Sequence, residues 1–415
     1  MSSNDIIVSL DIGTSKVRAI IGEVSNGTIN IIGVGSADSE GIRKGAIVDI
    51  DQTVQSIRSA VEHAERMVGI QISDVYVGIQ GNHIALQTNR GVVAVSNEDR
   101  EIGEEDIERV VQAAKVVALP PEREIINLVP KQFLVDGLEG ISDPRGMIGV
   151  RLEVEATIVT GAKTAIHNLM RCVEKAGLRI SGVILMSLAS GVMSLTKDEK
   201  TIGTVLTDIG AGSTTITIYE QGSLAAISTL PIGGEYVTND IAYGLRTQSE
   251  QAEKIKLKYG CAFVADAAED VKFKVTRMGS NVEKEFSQVD LASIIEPRMQ
   301  EIFHLVRQEV RRLGYGDKVN GYVLTGGSVT MPGTLALAQA ELESSVRIAS
   351  PDYIGVRDPA YSSGVGMIQY VSKYMGVRGA AASTGKKTAS RKSGTTASSK
   401  PGMFERLKNM FSEFI

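Results

Sequence analysis

Tryptophan is absent from the 415-residue chain, and phenylalanine occurs only 8 times. So few large aromatics argue against an aromatic-rich all-β sandwich or barrel. Cysteine is nearly absent too: Cys172 and Cys261 lie far apart and form no CxxC or Cys/His pattern. That excludes a disulfide scaffold and a zinc site, points to a reducing compartment, and leaves both residues as small buried hydrophobes. No uninterrupted apolar run approaches the roughly 18 residues of a membrane span. The start, Met1-Ser2-Ser3-Asn4-Asp5, has neither a basic region nor an apolar stretch, so no signal peptide is expected. Two nucleotide signatures are also missing. There is no G-x-x-x-x-G-K-[ST] and no ordered G-x-G-x-x-G, which removes P-loop and Rossmann dinucleotide sites.

Glycine, with 43 copies, and hydrophobic residues, at 43 %, are plentiful. They predict tight strand–loop–helix junctions around large cores, and the length predicts two or more domains. The net charge of −5 is unevenly spread. From Gly379 to Ile415 seven basic residues (Lys386, Lys387, Arg391, Lys392, Lys400, Arg406 and Lys408) stand against Glu405 and Glu413, leaving an acidic body. An acidic body with a basic tail argues against nucleic acid as a partner and suits a tail that meets an anionic surface.

Along the chain, α/β patterns alternate with an interruption. Ile6–Leu10 and Val17–Val24 read as strands around a tight turn, followed by a helix over about Asp51–Val68 with Asp51 as N-cap and Gly69 as its stop. Residues 83–162 read as a compact α+β insertion in a first lobe of 1–82, which is completed by 360–378. A second lobe covers 163–243 and is completed by 319–359; its mostly helical part is 244–318, with a strand pair near Phe273–Phe286. Residues 379–402 hold Gly, Ala, Ser, Thr and Lys with no large apolar residue, and read as a disordered basic linker.

The most informative feature is a repeat. Asp11-Ile12-Gly13-Thr14-Ser15 and Asp208-Ile209-Gly210-Ala211-Gly212-Ser213 each follow one β-rich run and precede another. A single Asp-Ile-Gly is an ordinary hairpin turn. Two in matching contexts predict a duplicated cleft in which backbone N–H groups of Gly13, Thr14, Ser15, Gly210, Ala211, Gly212, Ser213 and Thr214 curl around phosphate oxygens. Asp11 and Asp208 would hold magnesium through water, and Lys16 would add charge. Downstream, Gly326-Gly327-Ser328 follows a strand and lets backbone approach a flat ligand. Gly233-Gly234 precedes a helix carrying Glu253 and Lys256 at i, i+3, which would bracket a ribose or adenine or simply form an exposed ion pair.

These pieces, in this order, resemble the actin/Hsp70/sugar-kinase ATPase superfamily, with a closing helix at Ser362–Tyr370. Within it the chain resembles the FtsA family of bacterial cell-division proteins over residues 5–376. Gly41–Asp51, Ile148–Gly161, Leu324–Gly333 and Ala349–Pro359 carry that likeness beside the first turn. The resemblance implies an α/β, actin-like (RNase H-like, duplicated) two-lobed fold with an inserted α+β subdomain. It implies ATP and Mg2+ in the cleft and self-assembly into filaments. It also implies binding of the C-terminal tail of FtsZ, expected on 244–318 near Arg298 and Arg307, contacts with other divisome proteins, and a place at the cytoplasmic face of the membrane at the division site. The second turn departs from the family, which often has a third glycine where Ala211 stands. A water-orienting residue for hydrolysis would lie at Leu185-Met186-Ser187, and no acid or amide is there. The expectation is therefore a nucleotide switch with slow turnover at most. An actin-like ATPase of a pilus platform, or a small-metabolite kinase, are the alternatives.

The tail carries its own signal. Met403, Phe404, Leu407, Met410, Phe411, Phe414 and Ile415 form one stripe on a helix, with Arg406 and Lys408 on the other side. A body-docking helix or a coiled-coil strand would share that pattern, but fewer than two heptads are marginal. The pattern fits an interfacial membrane helix.

Overall fold

The computed structural model describes residues 5–279 and 283–375. The linker expected at 379–402 and the amphipathic segment 403–415 lie outside the described residues.

Two five-stranded sheets of the same plan form the two lobes. In the first, Asp5–Ile12, Lys16–Ser25 and Thr28–Asp38 make an antiparallel meander. Asp74–Ile79 and then Arg179–Leu185 add to its other side in parallel. In the second, Thr204–Ile209, Thr214–Glu220 and Ser223–Leu230 repeat the meander, and Tyr322–Thr325 and Val346–Ile348 repeat the parallel additions. The repeat read in the turns is thus a duplication of whole sheets.

The inner parallel strand Tyr322–Thr325 is buried throughout, and Val77–Ile79 and Val183–Leu185 are buried where their strands cross the core, as a sheet covered on both faces requires. In the first lobe Leu10, Val17, Ile21, Val75 and Val77 pack against Val54, Ile57, Val61 and Ala64 of the helix Ile50–Val68. That helix starts earlier than expected. Its N-cap is Asp49, in extended backbone, whose carboxylate accepts from the Gln52 N–H at 3.0 Å, while Asp51 sits in the first turn. Gly69, with φ of 75°, ends it as expected.

The insertion is an antiparallel sheet ordered Ala85–Ala94, Arg151–Ala162, Arg123–Val135, Leu138–Ile141, with the helix Glu104–Ala114 on one face. Ile107, Val110 and Val111 pack there on Leu152, Val154 and Ala156 in a core of their own. In the second lobe the helices Gly234–Leu245, Ser249–Tyr259 and Gln288–Arg312 gather over the sheet, and Ile295, Met299, Ile302 and Phe303 share one core with Val205 and Ile216. The expected strand pair is Lys272–Thr276 with Glu283–Ser287, and Phe273 lies opposite Phe286.

Two helices of small residues, Met186–Ser194 and Ser362–Tyr370, carry the chain between the lobes and pack on each other. Their contact includes a hydrogen bond of 2.8 Å between the Ser190 and Ser363 hydroxyls. Among the described residues no helix is long and apolar enough to cross a membrane.

Candidate functional site

The C-terminal ends of the parallel strands and the two meander turns open onto one cavity of about 330 Å3 between the lobes, where open α/β sheets place their ligands. Both turns close alike. The Gly13 N–H donates to the Lys16 carbonyl at 3.1 Å, and the Gly210 N–H to the Ser213 carbonyl at 3.0 Å. They face each other directly: a Cβ on Gly212 would lie 2.7 Å from Thr14 Oγ1. Only glycine allows that approach.

The second turn is held from behind. The Gly210 carbonyl accepts from the Gly234 N–H at 3.0 Å and from Ser328 Oγ at 2.9 Å, and the Ala211 carbonyl accepts from the Glu235 N–H at 2.9 Å. Ser328 therefore fixes the turn as well as lining the cavity. Gly326 has φ of 95°, and a Cβ there would sit 2.4 Å from Asp208 Oδ1. The strand end is thus pressed against the carboxylate.

Asp11 is buried and Asp208 half-buried at the cavity floor. Burial, with a smaller contribution from Asp208, pushes the Asp11 carboxyl up to about 6 against the pull of Arg18. Burial also raises Asp208, opposed by the Ser363 hydroxyl that donates to Oδ2 at 3.1 Å and by Arg18. Asp11 Oδ1 has no hydrogen-bond partner. A buried carboxylate oxygen left without a partner is costly unless a cation or donor meets it.

Nearly all the residues singled out in the sequence for the nucleotide line this cavity, Asp11, Thr14, Asp208, Glu253, Lys256 and Gly327 among them. Lys16 lines it at the rim, paired with Asp38 at 2.5 Å. Glu253 and Lys256 form an ion pair of 2.7 Å, and Lys256 also donates to the Gly234 carbonyl at 3.0 Å, so it braces the start of the helix Gly234–Leu245 behind the second turn. Thr214 and Gly233 stand behind the lining; the Thr214 hydroxyl donates to the Ile232 carbonyl at 2.8 Å.

Sequence reasoning missed Arg18, Gln80, Thr215, Met299 and Asp358, all of which line the cavity. Arg18 is cross-strand from Asp11 and lies 5.3 Å over the Tyr361 ring. Its place was readable, because a turn closed at Gly13 and Lys16 pairs Ile12 with Val17 and Asp11 with Arg18. Gln80 gave no such signal.

The chemistry fits a nucleotide phosphate chain with magnesium. Facing N–H turns suit phosphate oxygens, and two carboxylates suit a cation that keeps most of its water. Among the described residues no group of three or more His, Cys, Asp or Glu could hold a metal by itself. Water and phosphate would complete such a shell.

Solved structures share the architecture. A type IV pilus biogenesis complex, PilM-PilN, matches with TM-score 0.62 at 15% identity, over 88% of this chain and 97% of that one. MreB5 of Spiroplasma citri bound to ADP matches with TM-score 0.54 at 12% identity, over 89% and 97%. At such identities the likeness speaks for fold alone. The two duplicated sheets, the facing turns and the cavity between them give this chain an actin-like fold.

Sequence narrows it further. The family described as cell division protein FtsA matches residues 205–366, and the SHS2 domain inserted in FtsA matches residues 81–160, the insertion described above. The chain is 51% identical to the cell division protein FtsA of Bacillus subtilis, over 91% of this chain and 86% of that one. It is 36% identical to that of Escherichia coli, over 88% and 90%. The chain belongs to the FtsA family of cell division proteins.

Proposed function

We propose that the chain is an ATP-dependent filament-forming adaptor that ties the FtsZ ring to the cytoplasmic membrane at the division site and helps recruit later divisome proteins. The observation that carries the nucleotide part is the meeting of two identically closed turns and their two carboxylates, Asp11 and Asp208, in one cavity. ATP would lie with its phosphates between the turns and its base toward Gly326 and Gly327, beside Glu253 and Lys256. Magnesium would screen the phosphate charge near Asp11 and Asp208, and Arg18 would add a fixed cation. Turnover is slow in this reading, because the cavity serves a switch.

The membrane part rests on the sequence of 403–415. A lone helix of that length is mostly unfolded in water, and burial of Phe404, Leu407, Phe411 and Phe414 in the interface would supply the missing stabilisation. Each basic residue near an anionic leaflet contributes about 1 kcal/mol. One such helix binds weakly, and a filament would multiply it through avidity. The FtsZ tail is assigned to the helical part, 244–318. Arg298 is already paired there with Asp240 at 2.6 Å and Arg307 with Glu343 at 2.8 Å, so an acidic peptide would compete with internal partners.

The test is co-sedimentation with anionic vesicles, with and without ATP and a peptide of the FtsZ C-terminus. The full chain is expected to sediment and to carry the peptide with it. A chain ending at Val377, and the Phe404→Glu, Phe411→Glu double variant, should stay in solution. Equal sedimentation of the full and shortened chains would refute the membrane reading; a full chain that sediments without peptide would refute the adaptor reading.

A further inference from the structure

The site described so far lacks a group to place a water molecule against a terminal phosphate. The position where the sequence suggests looking, Leu185-Met186-Ser187, supplies none. All three residues are buried, and they carry no acid or amide. The sheet puts an amide beside it. Leu10 pairs with Val77 and Leu185 with Ile79. Continuing those registers one row past the strand ends sets Gln80 between Gly13 of the first turn and Met186. Gln80 lines the cavity, and no hydrogen bond within the described residues uses its side-chain amide. Two neighbouring polar groups of that lobe are engaged, Lys16 with Asp38 and Thr14 Oγ1 with the Gly45 N–H at 3.2 Å, while Asp11 Oδ1 is an acceptor and cannot donate to a phosphate as an amide can.

The second lobe shows what this position can do. There Asp208 pairs with Thr325, as Asp11 lies opposite Gly78 by the same count in the first lobe. Two residues on, the second lobe has Gly327, part of the bare floor offered to a flat ligand. The first lobe has Gln80. The duplicated position is therefore backbone at one end of the cavity and a hydrogen-bonding amide at the other.

We propose that Gln80 is a catalytic residue that reads the terminal phosphate of bound ATP and orients the water that attacks it. This rests on the reading that ATP occupies the cavity. The Gln80 Oε1 accepts a hydrogen bond from the water, and Nε2 donates to a γ-phosphate oxygen. The water oxygen forms a bond to the γ-phosphorus as the bond to the β–γ bridging oxygen breaks, and the bridging electron pair stays on ADP. One water proton remains on inorganic phosphate and the other leaves through a phosphate oxygen to solvent. The amide changes neither charge nor protonation, so it contributes orientation only, as glutamine does where it places water in other phosphoryl-transfer sites.

The experiment compares the full-length chain with Gln80→Ala and with Gln80→Met, which keeps the volume and removes the amide. The probes are ADP, and ADP with aluminium fluoride as a mimic of the transferring phosphoryl group, both titrated with magnesium by calorimetry. Single-turnover hydrolysis of ATP is the second readout. Aluminium fluoride should tighten ADP binding to the native chain. Both variants should lose at least about tenfold of that tightening and of the hydrolysis rate, with ADP affinity held within about twofold. Variants that match the native chain with aluminium fluoride would overturn the proposal. So would a parallel loss of ADP affinity, or a native chain that fluoride does not affect. A native chain that binds neither ADP nor ATP would instead overturn the nucleotide reading beneath it.

Discussion

The two lobes share one sheet plan and one Asp-Ile-Gly turn, yet they furnish the cavity differently. The first lobe reaches in with side chains: Thr14, Lys16, Arg18 and Gln80. The second adds side chains from its helices, Glu253, Lys256 and Met299, but its turn and strand end are barer, at Ala211, Gly212, Gly326 and Gly327. At the same register position, opposite the aspartate, stand Arg18 in one lobe and Thr215 in the other. The duplication thus set where groups stand, and divergence put Arg18 beside one aspartate, Thr215 beside the other, and left the second strand end bare at Gly326 and Gly327.

The largest expected effect comes from filling the one gap the facing turns depend on. Gly212→Val would put side-chain atoms against Thr14 and should lower ATP affinity by roughly a hundredfold in calorimetry. The matching change in the first turn, Ser15→Val, sits at an exposed position and should cost no more than about tenfold. Equal losses would mean that the turns are interchangeable and would break the comparison.

Next comes charge. Arg18→Ala should weaken ATP binding about tenfold, and less at high salt, while Thr215→Ala stays within about twofold. A Thr215→Ala loss as large as that of Arg18→Ala would show that the position opposite the aspartate binds through its side chain in both lobes.

The smallest effect concerns stability. Each lobe has an arginine on its outer parallel strand. Arg347 pairs with the partly buried Glu199 at 2.7 Å, and Arg179 pairs with Asp74 on the surface. The hydrogen bond from Arg347 chiefly holds the Glu199 carboxyl down at about 2, below its ordinary 4.5, with desolvation opposing and Thr196 assisting. A depressed carboxylate stabilises the fold above pH 4.5, and that contribution is lost as pH falls toward 2. Arg347→Ala should therefore cost about 1 kcal/mol at neutral pH once solvent screening is allowed for, and clearly less near pH 2, where only part of the pairing and the bond to the Ser194 carbonyl remain. Denaturant midpoints across that range measure it. Arg179→Ala should leave the midpoint unchanged.

How much of this was legible in the sequence divides along the same line. The turns, the insertion, the strand pair at Phe273–Phe286 and the closing helix Ser362–Tyr370 all show locally, as glycine and aspartate at turn positions and as apolar periodicity. Arg18 was within reach by counting across a hairpin. Gln80 was not, because its place depends on Asp74–Ile79 crossing back to pair in parallel with Asp5–Ile12, some 65 residues away. Met299 and Asp358 come to the cavity from still more distant elements. The start of the helix Ile50–Val68 was misread by two residues because both Asp49 and Asp51 are good caps, and only the extended backbone at Asp49 decides between them. Ser328 reads as a ligand contact in sequence but also holds the Gly210 carbonyl, a role that only the folded turn reveals.

The central claim is that both lobes act together on one magnesium-bound nucleotide. The direct measurement is calorimetric titration of ATP, with and without magnesium, into the native chain and into Asp208→Ala, with circular dichroism confirming the fold of each. The account predicts tight, magnesium-dependent binding in the native chain and loss of that dependence in Asp208→Ala. A folded Asp208→Ala protein that binds ATP as tightly as the native chain, and with the same dependence on magnesium, would contradict it.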